Sequence, residues 1–386
     1  MANRKITIFT GNRAEYGLLY PLMQVLKSQK SVELSLIVSG SHLSDRFGMT
    51  ACEIDTVGIK KVRMIDPGSP LREKILDVPM SFSSIIRKVF AVLKRLKPDI
   101  IVLAGDRYET FAVAVASFYM NIPIAHLFGG DLSQGGHLDD SVRHAITKLA
   151  HLHFTTNGDS YSRVLKLGEE KWRVFNTGST AVDNAVSGMC ASPEALAAEF
   201  DIDLSRPLIL FTQHPVTTES DMAYDQVKES LEALKELGYQ TVITYPCNDA
   251  GGDLIIKAIK QYTNRPYFRI VKSLGWKKYL GFLKVASCVA GNSSSGIMET
   301  PVFKVPFVNI GPRQAGRLRA ENVIDVPYDK TAIKKAISKA LHDRTFISKV
   351  KNCRNPYGNG KSAIKIAEVL KTIPINKALL QKKMTF

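Results

Sequence analysis

Short apolar runs alternate with segments of helical period along nearly the whole chain. Residues 5–10 (KITIFT) read as a buried strand, and after GNRAEYG the apolar positions from 18 to 26 recur at helical spacing. Residues 34–39 (LSLIVS) predict a second strand, a helical pattern resumes from Leu43, and residues 61–65 predict a short third strand. Residues 67–79, with Gly68, Pro70 and several charges, read as a mobile loop. An amphipathic helix over 83–96 stops before Pro98, and strands follow at 99–103, 122–127, 151–156 and 173–176. Strand–helix alternation of this kind predicts a doubly wound parallel sheet.

Residues 178–206 read as helix and turn, a crossover between domains. The alternation then restarts, with strands expected at 207–211, 240–244, 267–271, 287–290 and 306–310 and a helix over 220–237. The expected fold is therefore α/β, with two Rossmann-like doubly wound domains facing a central cleft. The boundaries are read as 1–180 for the first domain, 181–365 for the second, and 366–386 for a tail whose helix packs back. Each predicted strand of the second half runs into a polar turn, and open sheets of this type bind ligands beyond the carboxyl ends of their strands.

Composition narrows the class only in part. The 386 residues are 45% hydrophobic and 23% charged, as expected of a globular chain. No apolar run approaches ~18–20 residues, and the start MANRKITIFTG has neither the apolar core nor the cleavage site of a signal peptide; the reading is a cytoplasmic protein without membrane association. Cys52, Cys190, Cys247, Cys288 and Cys353 are scattered and form no CxxC, so no disulfide framework or zinc site is expected. The net charge of +16 raises the question of nucleic acid, but the basic residues are dispersed and Lys-rich mainly over 330–383, so no nucleic-acid partner is expected.

The candidate chemistry lies in the turns. HLFGGDLSQGGHLDDSVRH, residues 126–144, follows a strand and gathers Asp131, Asp139 and Asp140 before a helix expected over 139–150; carboxylates placed there suit acid/base work, although Asp139 or Asp140 also suits a helix cap. Arg13, in a strand-to-helix turn, suits an anion. Gly105-Asp106-Arg107 forms another charged turn, in which Asp106 is either a cap or a functional carboxylate and Arg107 pairs with Glu109 or with a phosphate. GNSSSGIMET is the most specific phosphate signal: Gly291 to Gly296 are small and hydroxyl-rich at a helix start, Ser293 and Ser294 add hydroxyls, and Glu299 suits two ribose hydroxyls. Arg313 and Arg317, on the next strand-end loop, can supply charge to the same anion. His214 before Pro215 fits phosphate binding or acid catalysis. His126, His144, His151 and His153 are close in sequence but fall on strand and helix positions that make no convincing metal set. No nicotinamide fingerprint is present, and no cofactor or metal is expected. The combination fits an enzyme that breaks a sugar–phosphate bond in a nucleotide sugar.

TGNRAEYG, GDRYE, HLFGGD, DDSVRHAITKLAH, QHPVTT, GNSSSGIMET, GPRQAGR and NPYGNG, spread over nearly the whole chain, together resemble the hydrolysing UDP-N-acetylglucosamine 2-epimerases of sialic-acid-type biosynthesis. The resemblance implies a GT-B fold with UDP held mainly by the second domain. It implies conversion of UDP-N-acetylglucosamine and water to N-acetylmannosamine and UDP through 2-acetamidoglucal. The same reaction on UDP-2,4-diacetamido-2,4,6-trideoxyglucose is the nearest alternative, and a GT-B glycosyltransferase a distant one. Matched motif to motif, Asp106, Asp131, Asp139 and His214 fall on the family's catalytic positions. Arg13, Arg107, His214, Ser293, Ser294, Ser295, Gly296, Glu299 and Arg313 fall on its UDP-binding positions, with Arg143 beside them. Expected partners are a UDP-sugar substrate, UDP as product, and further copies of the chain in a homodimer or larger homo-oligomer. Two departures stand out: Asp131 replaces the Glu of GGE, and Cys247 replaces the Asn of YPN.

Overall fold

The computed structural model describes residues 3–43, 58–59, 61–65, 78–133, 137–247 and 249–385. The chain divides into two compact units. The first comprises Met1–Asp131, Leu138–Asn184 and Tyr357–Phe386, and the second Leu132–His137 and Ala185–Pro356. The helical pattern expected from Leu43 and the loop expected over 67–77 lie outside the described residues; Val78 and Pro79 already belong to the helix Val78–Leu96.

The first unit holds seven parallel strands: β1 (Arg4–Thr10), β2 (Val32–Ser39), β3 (Lys61–Ile65), β4 (Ile100–Ala104), β5 (Ile124–Leu127), β6 (Leu152–Thr155) and β7 (Val174–Asn176). Their order is β3-β2-β1-β4-β5-β6-β7. The order reverses direction between β1 and β4, which is where a doubly wound sheet opens a crevice at its carboxyl edge. Both faces are buried, as parallel sheets require. Ile100, Val102 and Ala104 pack with Leu19, Leu22 and Leu26 of the helix Arg13–Ser28 and with Ile366 and Leu370 of the helix Ser362–Thr372. Ile101 and Leu103 point the other way, to Ile85, Val89 and Val113.

The last thirty residues thus return to the first unit. Asp183 accepts from the backbone N–H of Ser362 at 3.0 Å and of Ala363 at 2.5 Å. It caps the returning helix from a distant part of the chain. Residues 181–184 and 357–365, placed with the second domain on sequence, accordingly group with the first unit. Beyond that helix, Arg173 is fully buried and donates to the carbonyls of Ala378 and Leu379 at 2.6 Å each.

The second unit repeats the winding with β8 (Leu208–Thr212), β9 (Gln240–Thr244), β10 (Phe268–Val271), β11 (Cys288–Gly291), β12 (Phe307–Ile310) and β13 (Val323–Val326). The order is β10-β9-β8-β11-β12-β13, all parallel, with the reversal between β8 and β11. β13 was not expected: VIDV is short and exposed enough to resemble a loop. The helix expected from 220 begins as a 3-10 turn, Thr217–Met222, and becomes α-helical at Ala223–Leu237.

Candidate active site

In the first unit the turn after β4 begins with Gly105 at φ +77, a left-handed conformation that a side chain would strain. His126 Nε2 lies 2.8 Å from the Gly105 carbonyl, and its Nδ1 lies 3.1 Å from Thr147 Oγ1. The ring thereby ties the ends of β4 and β5 together. Burial pushes the imidazole down to about 3, so it is a neutral structural link and not a proton carrier near pH 7. Asp106 does not cap the next helix. The N-cap position is Arg107, which makes no capping bond with its side chain, and Asp106 instead accepts from Arg143 Nη2.

Arg143 is the centre of the first unit's constellation. Only 3% of it is exposed. Besides Asp106, it donates from Nη1 to Asp140 Oδ1 at 2.7 Å and to the backbone carbonyl of Asp131. It reaches all three because it lies on the helix His137–Leu149 one turn beyond Asp140. That helix starts two residues earlier than the sequence pattern implied. Asp139 and Asp140 therefore stand within its first turn and not at its cap, both half-buried.

The GGD turn has its own steric reason. A Cβ on Gly130 would lie 2.4 Å from the Ser160 carbonyl, so only glycine lets the turn press against the helix Gly158–Lys166. The contact delivers Asp131, 6% exposed, to two hydroxyls: Thr156 and Ser160 each donate to Oδ1 at 2.6 Å. The shorter Asp in place of Glu therefore has a fitted pair of donors.

Two further carboxylates lie beneath the same strand ends: Glu15, which the sequence pattern did not single out, and Glu109, considered there only as a partner of Arg107. Glu15 accepts from the Gly11 N–H at 2.8 Å and from Thr110 Oγ1 at 3.4 Å. Its carboxyl is pushed up to about 7 by burial and by the neighbouring Glu109. Glu109, 1% exposed, holds Arg107 Nε at 3.3 Å, the pairing considered from sequence. Arg13 opens the helix Arg13–Ser28 behind the N-cap Asn12, whose side chain accepts from the Glu15 N–H at 3.0 Å; the Arg13 side chain lies outside the described residues.

In the second unit the anion-binding candidates gather at the ends of β8, β11 and β12. Gly291, at φ +123, would place a Cβ 2.0 Å from the Thr212 carbonyl, and a Cβ on Gly296 would lie 2.3 Å from the Phe307 ring. The first glycine lets β11 close on β8. The second lets the short helix Ser295–Met298 lie on β12. Ser294 occupies the N-cap position without a capping side-chain bond. Glu299, pushed up to about 7 by burial, accepts from Ser295 Oγ. Tyr279, another residue the sequence did not flag, has a buried hydroxyl without a hydrogen-bond partner among the described residues, and burial pushes it well above the usual phenol range.

His214 receives the Cys247 backbone N–H at Nδ1 over 3.1 Å. Burial and Arg313 hold it down to about 3, with Asp249 opposing. Cys247 Sγ donates to Asp249 Oδ2 at 2.9 Å, and Arg313 Nη2 lies 4.0 Å from the same oxygen. Burial pushes the Cys247 thiol far up, so it is a neutral donor and not a nucleophile. Asn248 lies outside the described residues. Arg317, expected to add charge to the anion, instead donates to the Leu132 carbonyl at 2.7 Å and to Ser133 Oγ at 3.2 Å. Among the described residues no group of His, Cys, Asp and Glu has a metal-holding arrangement, and no helix is long and apolar enough to cross a membrane.

Each unit thus ends in a polar constellation at its switch point: carboxylates around a buried arginine in the first, and hydroxyls, a neutral histidine and an arginine in the second. Residues 24–371 match the family model described as UDP-N-acetylglucosamine 2-epimerase. The chain is 37% identical over 330 residues to the GDP/UDP-N,N'-diacetylbacillosamine 2-epimerase (hydrolyzing) of Campylobacter jejuni, covering 84% of this chain and 85% of that protein. It is 33% identical over 385 residues to the UDP-N,N'-diacetylbacillosamine 2-epimerase (hydrolyzing) of Legionella pneumophila, covering 98% of each. The crystal structure of UDP-GlcNAc 2-epimerase from Neisseria meningitidis bound to UDP-GlcNAc shares the GT-B-like α/β fold, with a TM-score of 0.81 at 20% identity over 95% of this chain and 99% of that one. The chain belongs to the UDP-N-acetylglucosamine 2-epimerase family and is a UDP-sugar 2-epimerase.

Proposed function

We propose that the protein is a hydrolysing 2-epimerase that acts on UDP-2,4-diacetamido-2,4,6-trideoxyglucose, releasing UDP and the free 2-epimeric sugar. The observation that carries the hydrolysing chemistry is the gathering of Asp106, Asp140 and the Asp131 backbone around Arg143. A weakly acidic C2 proton needs a fixed carboxylate, and the second step needs a group that delivers a proton to C2 while water attacks C1. In the first step a carboxylate takes the C2 proton, the C1–oxygen bond breaks, and UDP leaves with the electron pair. In the second, the water oxygen bonds to C1 and gives up a proton to a carboxylate, while C2 is protonated from the opposite face. Asp106, Asp131 and Asp139 are the proton-handling candidates. Arg13, Arg107, His214, Ser293, Ser294, Ser295, Gly296, Glu299 and Arg313 serve UDP, whose developing charge requires N–H donors and cations.

The choice of the diacetamido sugar is supported by the Campylobacter and Legionella relatives, both named as N,N'-diacetylbacillosamine 2-epimerases. UDP-N-acetylglucosamine, with N-acetylmannosamine as product, is the second reading, supported by the family description and by the ligand of the Neisseria structure. The reaction takes place in the cytoplasm, in a homo-oligomer of the chain, without cofactor. The test is turnover of both UDP-sugars side by side in deuterated water. The expected products are UDP and a free 2-epimeric sugar carrying deuterium at C2, with the higher kcat/KM on the diacetamido substrate. Release of a UDP-linked epimer overturns the hydrolysing claim, and a preference for UDP-N-acetylglucosamine overturns the substrate assignment.

A further inference from the structure

Asn292 is fully buried, and all four of its polar groups are engaged. Its N–H donates to the Thr212 carbonyl at 3.1 Å. Its carbonyl accepts from Gln314 Nε2 at 2.8 Å and from Arg313 Nη1 at 3.3 Å. Its side chain takes the His214 N–H on Oδ1 at 2.6 Å and returns a bond from Nδ2 to the His214 carbonyl at 2.9 Å. The amide orientation follows from chemistry, since only oxygen can receive the His214 N–H.

The arrangement has a reason in the chain. β8 and β11 pair as far as Thr212 and Gly291. Beyond them the chain reads Gln213-His214-Pro215, and proline offers no N–H to continue a ladder. The Asn292 amide substitutes for the missing peptide, contributing one acceptor and one donor. The ring of the residue it grips is fixed separately. Because Nδ1 accepts from the Cys247 N–H, the neutral ring must carry its proton on Nε2.

We infer that Asn292 is a positioning residue of the diphosphate site: it holds the His214 backbone at both polar groups, so that the imidazole, with Nδ1 occupied by Cys247, offers Nε2–H to a phosphate oxygen. The inference rests on the reading of the second unit as the one that binds UDP. It also gives the Asn of GNSSSG a task distinct from that of the serines. The carbonyl of Asn292 extends the same control to Arg313, so one side chain and its own peptide set the histidine and the arginine together.

The test combines two measurements. In protein labelled with nitrogen-15 at histidine, the His214 ring, assigned by its loss in His214→Gln, is expected as the neutral Nε2–H tautomer from pH 6 to 8. An Nδ1–H tautomer or an imidazolium at pH 7 overturns the inference, and this readout needs no ligand and no Asn292 variant. Asn292→Ala and Asn292→Asp are then compared by UDP calorimetry and steady-state kinetics. The expected result is a Kd for UDP raised tenfold or more, with KM rising by a similar factor, in protein that still melts cooperatively. Asn292→Ala with Kd and KM within twofold of the parent overturns the inference. If the parent protein itself binds no UDP, the UDP reading of this unit fails, while the ring tautomer still reports whether the clamp exists.

Discussion

Arg143 and Asp106 are 37 residues apart in sequence and meet as an ion pair whose arginine is 3% exposed and whose aspartate is 22% exposed. The same guanidinium holds Asp140 at 2.7 Å. The cation therefore fixes the position and charge of two carboxylates at once, and removing it leaves both without their counter-charge. Arg143→Met is expected to lower kcat by about a hundredfold or more, the scale associated with losing an oriented acid/base group. UDP affinity, proposed to reside in the second unit, is expected to stay within about threefold. Arg143→Lys restores charge without the planar fork and is expected to fall between the two. Initial rates and UDP calorimetry on the same preparations check this; unchanged kcat in Arg143→Met removes Arg143 and its carboxylates from the reaction.

Asp131 separates stability from chemistry. Its Oδ1 takes two hydroxyl protons at 2.6 Å in a buried turn. Asp131→Asn keeps an oxygen for both donors, so unfolding free energy is expected to change by less than about 1 kcal/mol. Asp131→Ala leaves two buried hydroxyls without an acceptor and is expected to cost about 2–4 kcal/mol. If the negative charge handles a proton, kcat falls strongly in both variants, on the order of a hundredfold. Urea denaturation alongside turnover distinguishes the cases, and an Asp131→Asn enzyme of parental kcat assigns Asp131 a purely structural role.

The sequence made the winding legible because buried parallel strands are short apolar runs with a polar turn at one end. Residues 61–65 and 240–244 were bounded correctly on that pattern. β13 was not, since VIDV lacks an apolar run and its identity as a strand depends on pairing with β12. Motif residues such as Ser293 and Glu299 were legible because glycine and serine at a helix start carry a local signal. The Arg107–Glu109 pair, two residues apart, was legible as well. Asn292 and Glu15 were not, because their roles depend on contacts with other strand ends. The same holds for Arg317, whose position in the sequence suggested an anion and whose side chain is turned to Leu132 and Ser133.

The buried titratable groups set an acid limit whose shape can be worked out. His126 and His214 are held down to about 3 and His151 to about 4, chiefly by burial. Their folded-state values lie below the unfolded value of about 6.5. From pH 6.5 downwards the unfolded chain therefore binds protons that the folded chain refuses, and stability falls as pH falls. Glu15 and Glu299, both raised to about 7 by burial, act with the opposite sign between about 4.5 and 7, because there the folded chain holds two protons that the unfolded chain has lost. His144 and His153 are lowered as well, chiefly by burial, so the histidines outnumber the two glutamates and stability already falls with pH between 6.5 and 4.5. Below 4.5 the glutamate offset ends. Glu169, held at about 2 by His153, Lys148 and Lys382 despite its burial, then adds to the loss. Urea midpoints are expected to begin falling near pH 6.5 and to fall more steeply below 4.5. In Glu299→Gln the decline between pH 6.5 and 4.5 is expected to be steeper than in the parent. A parent midpoint that stays level from pH 6.5 to 4.5 contradicts this balance.

The C-terminal segment is expected to behave as part of the first unit's core. Arg173, fully buried, donates to the carbonyls of Ala378, Leu379 and Gln381 at 2.6, 2.6 and 3.1 Å. Lys382 reaches the buried carboxylate of Glu169 at 2.7 Å, and Leu379 is buried in the cluster beneath β1 and β4. Removing residues 377–386 deprives a buried guanidinium of these acceptors and exposes apolar surface. Water admitted by the truncation recovers part of the hydrogen bonding, so the expected cost is about 2–4 kcal/mol, below the sum of the individual charged bonds. For a unit of this size that corresponds to a melting temperature lower by roughly 5–15 °C. Affinity for UDP is expected to stay within about twofold at 25 °C, because a change of ~0.4 kcal/mol or less is all that a distant loss of stability should transmit to a folded second unit. Thermal melts and UDP calorimetry on the truncated chain check both parts. An unchanged melting temperature would show that the tail contributes no stability, and a large loss of UDP affinity would show that the second unit depends on it.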